Sequence, residues 1–387
     1  MTSKVLITTT LLVFSGCASL VNLVLPINDV PSPKGPSAVG TKTFFLTDNK
    51  RSETYTHDPN DFRRIVLQTW YPTNDTSGKT ASYLDFFNLR IDPIAYQLGI
   101  DKKLLQNINK ISTSSIVNGI PKNDKMLPLV IFSHGLGGFR VQNTIQFQEL
   151  ASRGYIVMSI DHPYDAHLTV FKDSTIADFR AEDLNNLTGD EFWKHWLPKI
   201  ETRANDVSFI IDWAISESNN LNSDFYRCID STRIGIFGHS FGGGTSIYSM
   251  SRDERIKAAV ALDGWVVPIP ENTINKGLDR PFLYIGREKW SGPYNQYILQ
   301  KLINNSTGPI YLSYVKGMKH FDYADIPHLS DRANLFSFTG TLEKDMMISI
   351  INESILDFFE HHLNTVYPLP EGRPLGLSKT NFKTYNR

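Results

Sequence analysis

From Leu127 onward the chain repeats short apolar runs separated by longer mixed stretches. Residues 127–132, 155–160, 233–237, 256–262, 281–285 and 309–315 are almost continuously apolar instead of alternating. That pattern marks strands buried on both faces of a parallel sheet. Between the first two runs, residues 143–153 predict a helix that stops at Gly154. Val207, Ile210, Ile211, Ala214 and Ile215 recur at helical spacing and mark one buried helix face. Met347, Ile350, Ile351, Ile355, Phe358 and Phe359 place a closing amphipathic helix against the sheet. The whole predicts an α/β fold, with a mostly parallel central sheet covered by helices on both sides.

Earlier in the chain, residues 41–46 and 64–71 read as strands, antiparallel neighbours of each other. Two stretches break the rhythm. Residues 72–125 are polar apart from a patch at Tyr83, Leu84, Asp85, Phe86 and Phe87, and residues 161–199 hold Phe192, Trp193 and Trp196. Both are too long for plain connections, so each is expected to be an insertion, the first with short helices of its own. Their aromatics are expected in insertion cores, with a pocket or membrane contact as the alternative. Residues 309–315 are expected to be the last strand. With no internal repeat, residues 36–366 read as one domain, and the proline- and glycine-rich residues 367–387 as a disordered tail.

The first residues carry a separate message. Lys4 precedes an apolar run at 5–14 that is too short to span a bilayer and suits the core of a signal peptide. It ends in Phe14-Ser15-Gly16-Cys17-Ala18, which resembles a bacterial lipoprotein signal, where the cysteine is lipidated. The expectation is a removed signal at 1–16, a lipid on Cys17 and an extended proline-bearing tether at 17–35. The protein is then exported and held at the membrane of a cell envelope, with plain secretion as the alternative. Cys228 is the one other cysteine, a structural thiol, so no intramolecular disulfide framework forms. Lys and Arg number 39 against 40 Asp and Glu, a net charge of −1. No field of that size selects nucleic acid as a partner.

Chemistry concentrates at Gly238-His239-Ser240-Phe241-Gly242, between the run at 233–237 and a helix opening with Gly243. A strand turning sharply through G-x-S-x-G into a helix lifts the serine hydroxyl clear of the sheet. The flanking glycines are required because side chains there would collide across the turn. A serine needs a base, and the base needs an acid to orient it. The chain order in this arrangement is serine, acid, histidine. Beyond the elbow lie His320, His328, His361 and His362. His361 and His362 end a helix and read as structural, and His328 is a loop alternative. His320 follows the last strand by a few residues, where a loop can bring it over the strand ends. For the acid, Asp263 and Glu288 both close strands, the latter with Arg287 beside it, and the spacing leaves both open. Asp322 and Asp325 read as shaping the histidine loop, and Asp161 precedes the elbow. Donors for an oxyanion are expected from the Phe241 amide and the Leu136 amide in Ser133-His134-Gly135-Leu136-Gly137-Gly138. That loop lacks the glycine patterns of phosphate binders, and His134 reads as structural.

Several segments together resemble the platelet-activating-factor acetylhydrolases of plasma type and their bacterial esterase relatives. They are Gly35 to Gly40, the loop at 132–137, the elbow, Ala261-Leu262-Asp263-Gly264-Trp265, and Val315-Lys316-Gly317-Met318-Lys319-His320-Phe321. The resemblance implies an α/β-hydrolase fold with Ser240 as nucleophile, Asp263 in preference to Glu288 as acid, and His320 as base. It implies Leu136 and Phe241 as oxyanion donors and Trp265 near the acyl pocket. It also implies hydrolysis without metal or cofactor of short or oxidised acyl chains on phospholipids, or of simple esters. No cluster of histidines and carboxylates has metal-ligand spacing. The alternatives are a serine peptidase or acyltransferase on the same frame, and a non-catalytic lipid-binding lipoprotein. Oligomeric state is not written in the motifs.

Overall fold

The computed structural model describes residues 27–98, 101–180, 187–290, 293–330, 333, 339–364 and 381–385. The signal, Cys17 and the start of the tether lie outside them. The strands are β1 (Ala38–Ser52), β2 (Phe62–Thr73), β3 (Thr80–Ser82), β4 (Ser112–Val117), β5 (Leu127–Ser133), β6 (Ile156–Asp161), β7 (Leu168–Val170), β8 (Ile176–Asp178), β9 (Ile229–His239), β10 (Ile256–Leu262), β11 (Phe282–Arg287), β12 (Ile310–Val315) and β13 (Asn381–Tyr385). The main helices are α1 (Phe87–Leu98), α2 (Thr144–Ser152), α3 (Gly189–Asn219), α4 (Phe241–Arg252), α5 (Glu271–Lys276), α6 (Tyr294–Asn305), α7 (Ile326–Leu329) and α8 (Lys344–Phe359).

Eleven of the strands form one sheet in the order β13-β12-β11-β10-β9-β5-β6-β2-β1-β4-β3. Its centre is parallel from β6 to β12, and β2 pairs antiparallel with both β1 and β6. The continuous apolar runs follow from two-sided burial. Val130, Phe132, Val260 and Leu262 join a core with α2 and α8, whereas Leu129, Ile131, Ala259 and Ala261 join one with α3 and α4. Alternate residues of one strand thus feed opposite cores.

Three expectations need correction. Residues 309–315 do not hold the last strand: Asn381–Tyr385 pairs antiparallel with β12, from Ile310 opposite Tyr385 to Tyr314 opposite Asn381. The expected disordered tail therefore includes an edge strand. The unpaired backbone edge of β12 accepts it, and Asn-Phe-Lys-Thr-Tyr is β-compatible in composition. The first insertion holds α1 and a 3₁₀ helix at Lys102–Lys110 as expected, but it also extends the sheet through β3 and β4. The second insertion is not separate from the helix bearing Val207. After the β7–β8 hairpin, α3 runs unbroken from Gly189 to Asn219, so Phe192, Trp193 and Trp196 occupy its opening turns.

Candidate active site

Ser240 lies between β9 and α4 with φ 57° and ψ −121°, a strained backbone for a residue with a side chain. The surroundings hold it there. A Cβ on Gly242 would fall on the carbonyl oxygens of Ser133 and His134, and one on Gly238 would strike the Gly242 carbonyl. Only glycine lets β5 and the turn approach so closely. Ser240 N–H donates to the Leu262 carbonyl at 3.0 Å, and Trp265 N–H donates to the Ser240 carbonyl at 2.7 Å, tying the elbow to β10.

The structure brings His320 and Asp263 to this serine. The Ser240 hydroxyl lies 2.9 Å from His320 Nε2, and His320 Nδ1 lies 2.6 Å from Asp263 Oδ2. The carboxylate fixes the tautomer: Nδ1–H donates to it, leaving Nε2 to accept from the hydroxyl. Asp263 is wholly buried past the end of β10, with φ 44°. Its Oδ1 accepts the Arg287 amide at 3.1 Å, and Arg287 Nε stands 3.0 Å from Oδ2. Of the two acids left open by the spacing, Asp263 is the one bonded to the imidazole. Glu288 accepts Gln296 Nε2 on its backbone carbonyl. His328 is buried in α7, where burial and Lys344 push its imidazole down to about 4. His362 packs on Tyr311 and Phe358 beyond α8.

The loop carrying His320 is stitched to the start of α2. Asp325 accepts the Thr144 amide at 2.7 Å and the Ile145 amide at 3.3 Å, and it bonds the Tyr83 hydroxyl. Burial drives this carboxyl well above the usual carboxylate range, against those bonds. Asn143 Nδ2 donates to the Tyr323 carbonyl at 2.8 Å. Asp322 accepts the Lys319 and Gly340 amides at 2.6 and 2.8 Å, so both loop aspartates shape the loop. His239, inside the elbow, donates from Nε2 to the His320 carbonyl at 2.9 Å and accepts Gln142 Nε2 at 3.2 Å. Burial holds this imidazole well below its ordinary pKa, hence neutral, as one donor and one acceptor require.

The glycine loop after β5 lies against Ser240: a Cβ on Gly135 would stand 3.3 Å from Ser240 Cβ. Among the described residues, neither the Leu136 nor the Phe241 amide donates to a protein acceptor. Such a pair of amides can receive an oxyanion. Behind the loop lies a buried polar network. His134 Nδ1 donates to the Gly135 carbonyl at 2.6 Å, and its Nε2 accepts the His162 amide at 3.1 Å. Arg203 donates to the His134 carbonyl at 2.7 Å and to Asp165 at 2.8 Å. His162 bonds Ser133 Oγ at 3.0 Å and Asp206 at 2.9 Å, a second serine–histidine–aspartate chain. All three residues are at 0% exposure, so no substrate reaches them. Burial pushes His162 down to about 4. Burial opposes ionisation of Asp206, yet Arg63, His162 and Arg51 hold it far below the usual carboxylate range. Asp161 bonds the Arg140 amide and guanidinium at 2.7 and 2.5 Å, and Arg140 also pairs with Asp85 of the first insertion. Asp161 is therefore an anchor for the loop.

Sequence reasoning missed Gln142, Asn143, Arg140, His162, Arg203, Asp206 and Trp290. The signal available for some of them was polarity just after a buried strand (Asp161, His162) and just before a helix (Gln142, Asn143). Beside the elbow, Trp265 meets Trp196 edge-on at 4.5 Å, and both rings meet Phe241. Trp290 stands edge-on to His320 at 5.4 Å. Among the described residues no group of three or more histidines, cysteines or carboxylates is placed to hold a metal, and no helix is long and apolar enough to cross a membrane.

An elbow serine with an imidazole and a carboxylate aligned behind it, on this sheet, defines a serine ester hydrolase of the α/β-hydrolase class. Residues 25–369 match the family model for platelet-activating factor acetylhydrolase, isoform II, and the chain belongs to that family. It is 25% identical over 362 residues to platelet-activating factor acetylhydrolase of Gallus gallus, covering 87% of this chain and 84% of that protein. A probable 1-alkyl-2-acetylglycerophosphocholine esterase of Arthroderma benhamiae is 24% identical, covering 66% of this chain and 64% of that one. Among solved structures, a ferulic acid esterase from Streptomyces cinnamoneus superposes with a TM-score of 0.74 at 24% identity, covering 92% of this chain and 99% of that one. That likeness supports the fold.

Proposed function

We propose that the protein hydrolyses short or oxidised acyl esters of glycerophospholipids, with Ser240 as nucleophile, His320 as base and Asp263 as acid. His320 Nε2 takes the hydroxyl proton as Ser240 attacks the ester carbonyl, and Asp263 stabilises the imidazolium. The Leu136 and Phe241 amides stabilise the tetrahedral oxyanion. The imidazolium then protonates the departing alcohol, and water delivered by the same base releases the acid. The reading is carried by one observation, the continuous hydrogen-bonded chain Ser240–His320–Asp263. The phospholipid part rests on the relatives' names, as does the preference for short acyl groups. By the sequence of its first residues, the chain is exported and membrane-held through a lipid on Cys17. Mutation to Cys17→Ser should then move activity from the membrane pellet to the soluble fraction.

The test uses protein starting at Ala18, a fluorophosphonate probe, and a series of 2-acyl phosphocholines beside p-nitrophenyl esters. Ser240→Ala should abolish labelling and lower turnover by about 10⁴-fold or more. Labelling that persists in this variant would overturn the nucleophile. Turnover confined to the p-nitrophenyl esters would overturn the phospholipid assignment and leave the ester hydrolase.

A further inference from the structure

We propose that Arg287 is a positioning residue that sets the pH range over which the His320–Asp263 pair works, an inference that rests on the roles given above. Arg287 closes β11 and brackets the Asp263 carboxylate from two sides. Its backbone N–H donates to Oδ1 at 3.1 Å, while its side-chain Nε stands 3.0 Å from Oδ2. Oδ2 is the oxygen that also accepts His320 Nδ1–H. Nε makes no hydrogen bond among the described residues, so the guanidinium acts on that oxygen as a charge and not as a donor. Trp290 seats it: the guanidinium carbon lies 4.5 Å over the indole ring. That indole donates to the Tyr284 hydroxyl at 3.2 Å and meets His320 edge-on, so arginine, acid and imidazole form one packed unit.

The charge arithmetic changes during the reaction. At rest, one buried carboxylate faces one guanidinium and a neutral imidazole. After the serine proton moves to Nε2, two cations share a single carboxylate. The guanidinium therefore offsets part of the field by which Asp263 favours the imidazolium. It is about one-fifth exposed (19%), so solvent screens some of this effect without removing it.

The other titratable groups around the pair do not substitute for it. His239 is buried and neutral, and Tyr284 and Tyr323 are buried phenols pushed well above their ordinary range. Asp322 faces the Lys319 and Gly340 amides, and Lys319 acts on Asp322. The field of Arg287 also reaches His239 and Tyr323.

The experiment is the pH profile of kcat/KM on p-nitrophenyl butyrate for wild type, Arg287→Met and Arg287→Lys, with a thermal melt of each. Methionine keeps an apolar stem over Trp290 and removes the charge, so the acid limb should move up by about one pH unit. Lysine keeps the charge, and its limb should stay within about 0.3 unit of wild type. An unmoved limb in Arg287→Met, or an equal shift in Arg287→Lys, overturns the proposal. Trp290→Leu, which unseats the guanidinium without touching Asp263, should shift the limb in the same direction by less. It decides the matter if the arginine variants do not fold, and no shift there also overturns the proposal. Failure here with an inactive Ser240→Ala leaves the catalytic roles intact, whereas an active Ser240→Ala removes them.

Discussion

Ser240 and His320 meet at 2.9 Å, but the chain brings them there in different ways. Ser240 is fixed by its own neighbours in sequence: a buried strand, two glycines without room for a Cβ, and a helix that begins at the next residue. His320 has nothing comparable beside it. Its short 3₁₀ turn is capped locally by Asp322 on the Lys319 amide and otherwise held by partners far along the chain: Gln142 through His239, Asn143 through Tyr323, and the helix start at Thr144 through Asp325. Ser240 is set by steric exclusion, which is all-or-none. His320 is set by a sum of modest hydrogen bonds, each of which can be lost alone.

The largest effect should follow from attacking the steric side. Gly242→Ala would drive a methyl group into the carbonyl oxygens of Ser133 and His134, which are backbone atoms and cannot rotate away. We expect a loss of about 3 kcal/mol or more in unfolding free energy, together with loss of fluorophosphonate labelling. A Gly242→Ala protein with wild-type melting and labelling would show that the elbow is softer than its packing implies.

The same difference decides what could be read from the chain. Steric and periodic constraints are local, so the elbow, the parallel strands and the helix with Val207 were legible from residue order. His320 was legible as well, because few histidines follow the elbow. Spacing favoured Asp263, which follows its strand directly, but left Glu288 open, since both close strands. What separates them is the position of the imidazole, which is a tertiary fact. The polar network behind the glycine loop was not legible. Arg203 and Asp206 lie on one face of α3, and in a linear reading they are ordinary helix charges. The edge strand Asn381–Tyr385 was missed because glycine and proline just before it dominate the composition of the tail.

An intermediate effect should come from acid acting on the buried network behind the loop. His162 is fully buried and bonded as a neutral ring, with its protonation pushed down to about 4. In the unfolded chain a histidine takes its proton near pH 6.5. Between about pH 6.5 and 4 the unfolded state therefore binds more protons, and stability must fall as pH falls through that window. The slope for one such group approaches about 1.4 kcal/mol per pH unit. Urea unfolding from pH 7.5 to 4.5 should show this decline, to which the buried His239 and His328 also contribute, and His162→Gln should reduce its slope by up to about 1.4 kcal/mol per pH unit while lowering stability at pH 7.5. A variant as steep as wild type would mean that His162 is not the group responsible.

The smallest effect should come from the hydrogen-bonded side, and it tests whether the base is held by charge or by shape. Asp325 is wholly buried at the start of α2, where an ionised carboxylate would look like a favourable partner for the helix terminus. Burial nevertheless drives its carboxyl well above the usual carboxylate range, so any charge here is held against a desolvation cost that the amide bonds only partly offset. An asparagine removes that cost and keeps one acceptor: its carbonyl can accept the Thr144 amide as Oδ2 does at 2.7 Å, and the 3.3 Å contact with Ile145 has the least to lose. Asp325→Asn should therefore change unfolding free energy by less than about 1 kcal/mol and leave kcat/KM within a few-fold of wild type. The sign with pH is also fixed. A carboxyl raised in the folded state loses stability as pH rises above the ordinary carboxylate value, so the asparagine variant should gain on wild type toward neutral pH. Asp325→Ala strands the Thr144 and Ile145 amides and should cost about 1–3 kcal/mol, with kcat falling further than KM changes as the imidazole loses its seat. If Asp325→Asn proved as damaging as Asp325→Ala, the loop would be held by a buried charge, and the contrast between the two sides of the site would be one of electrostatics against sterics.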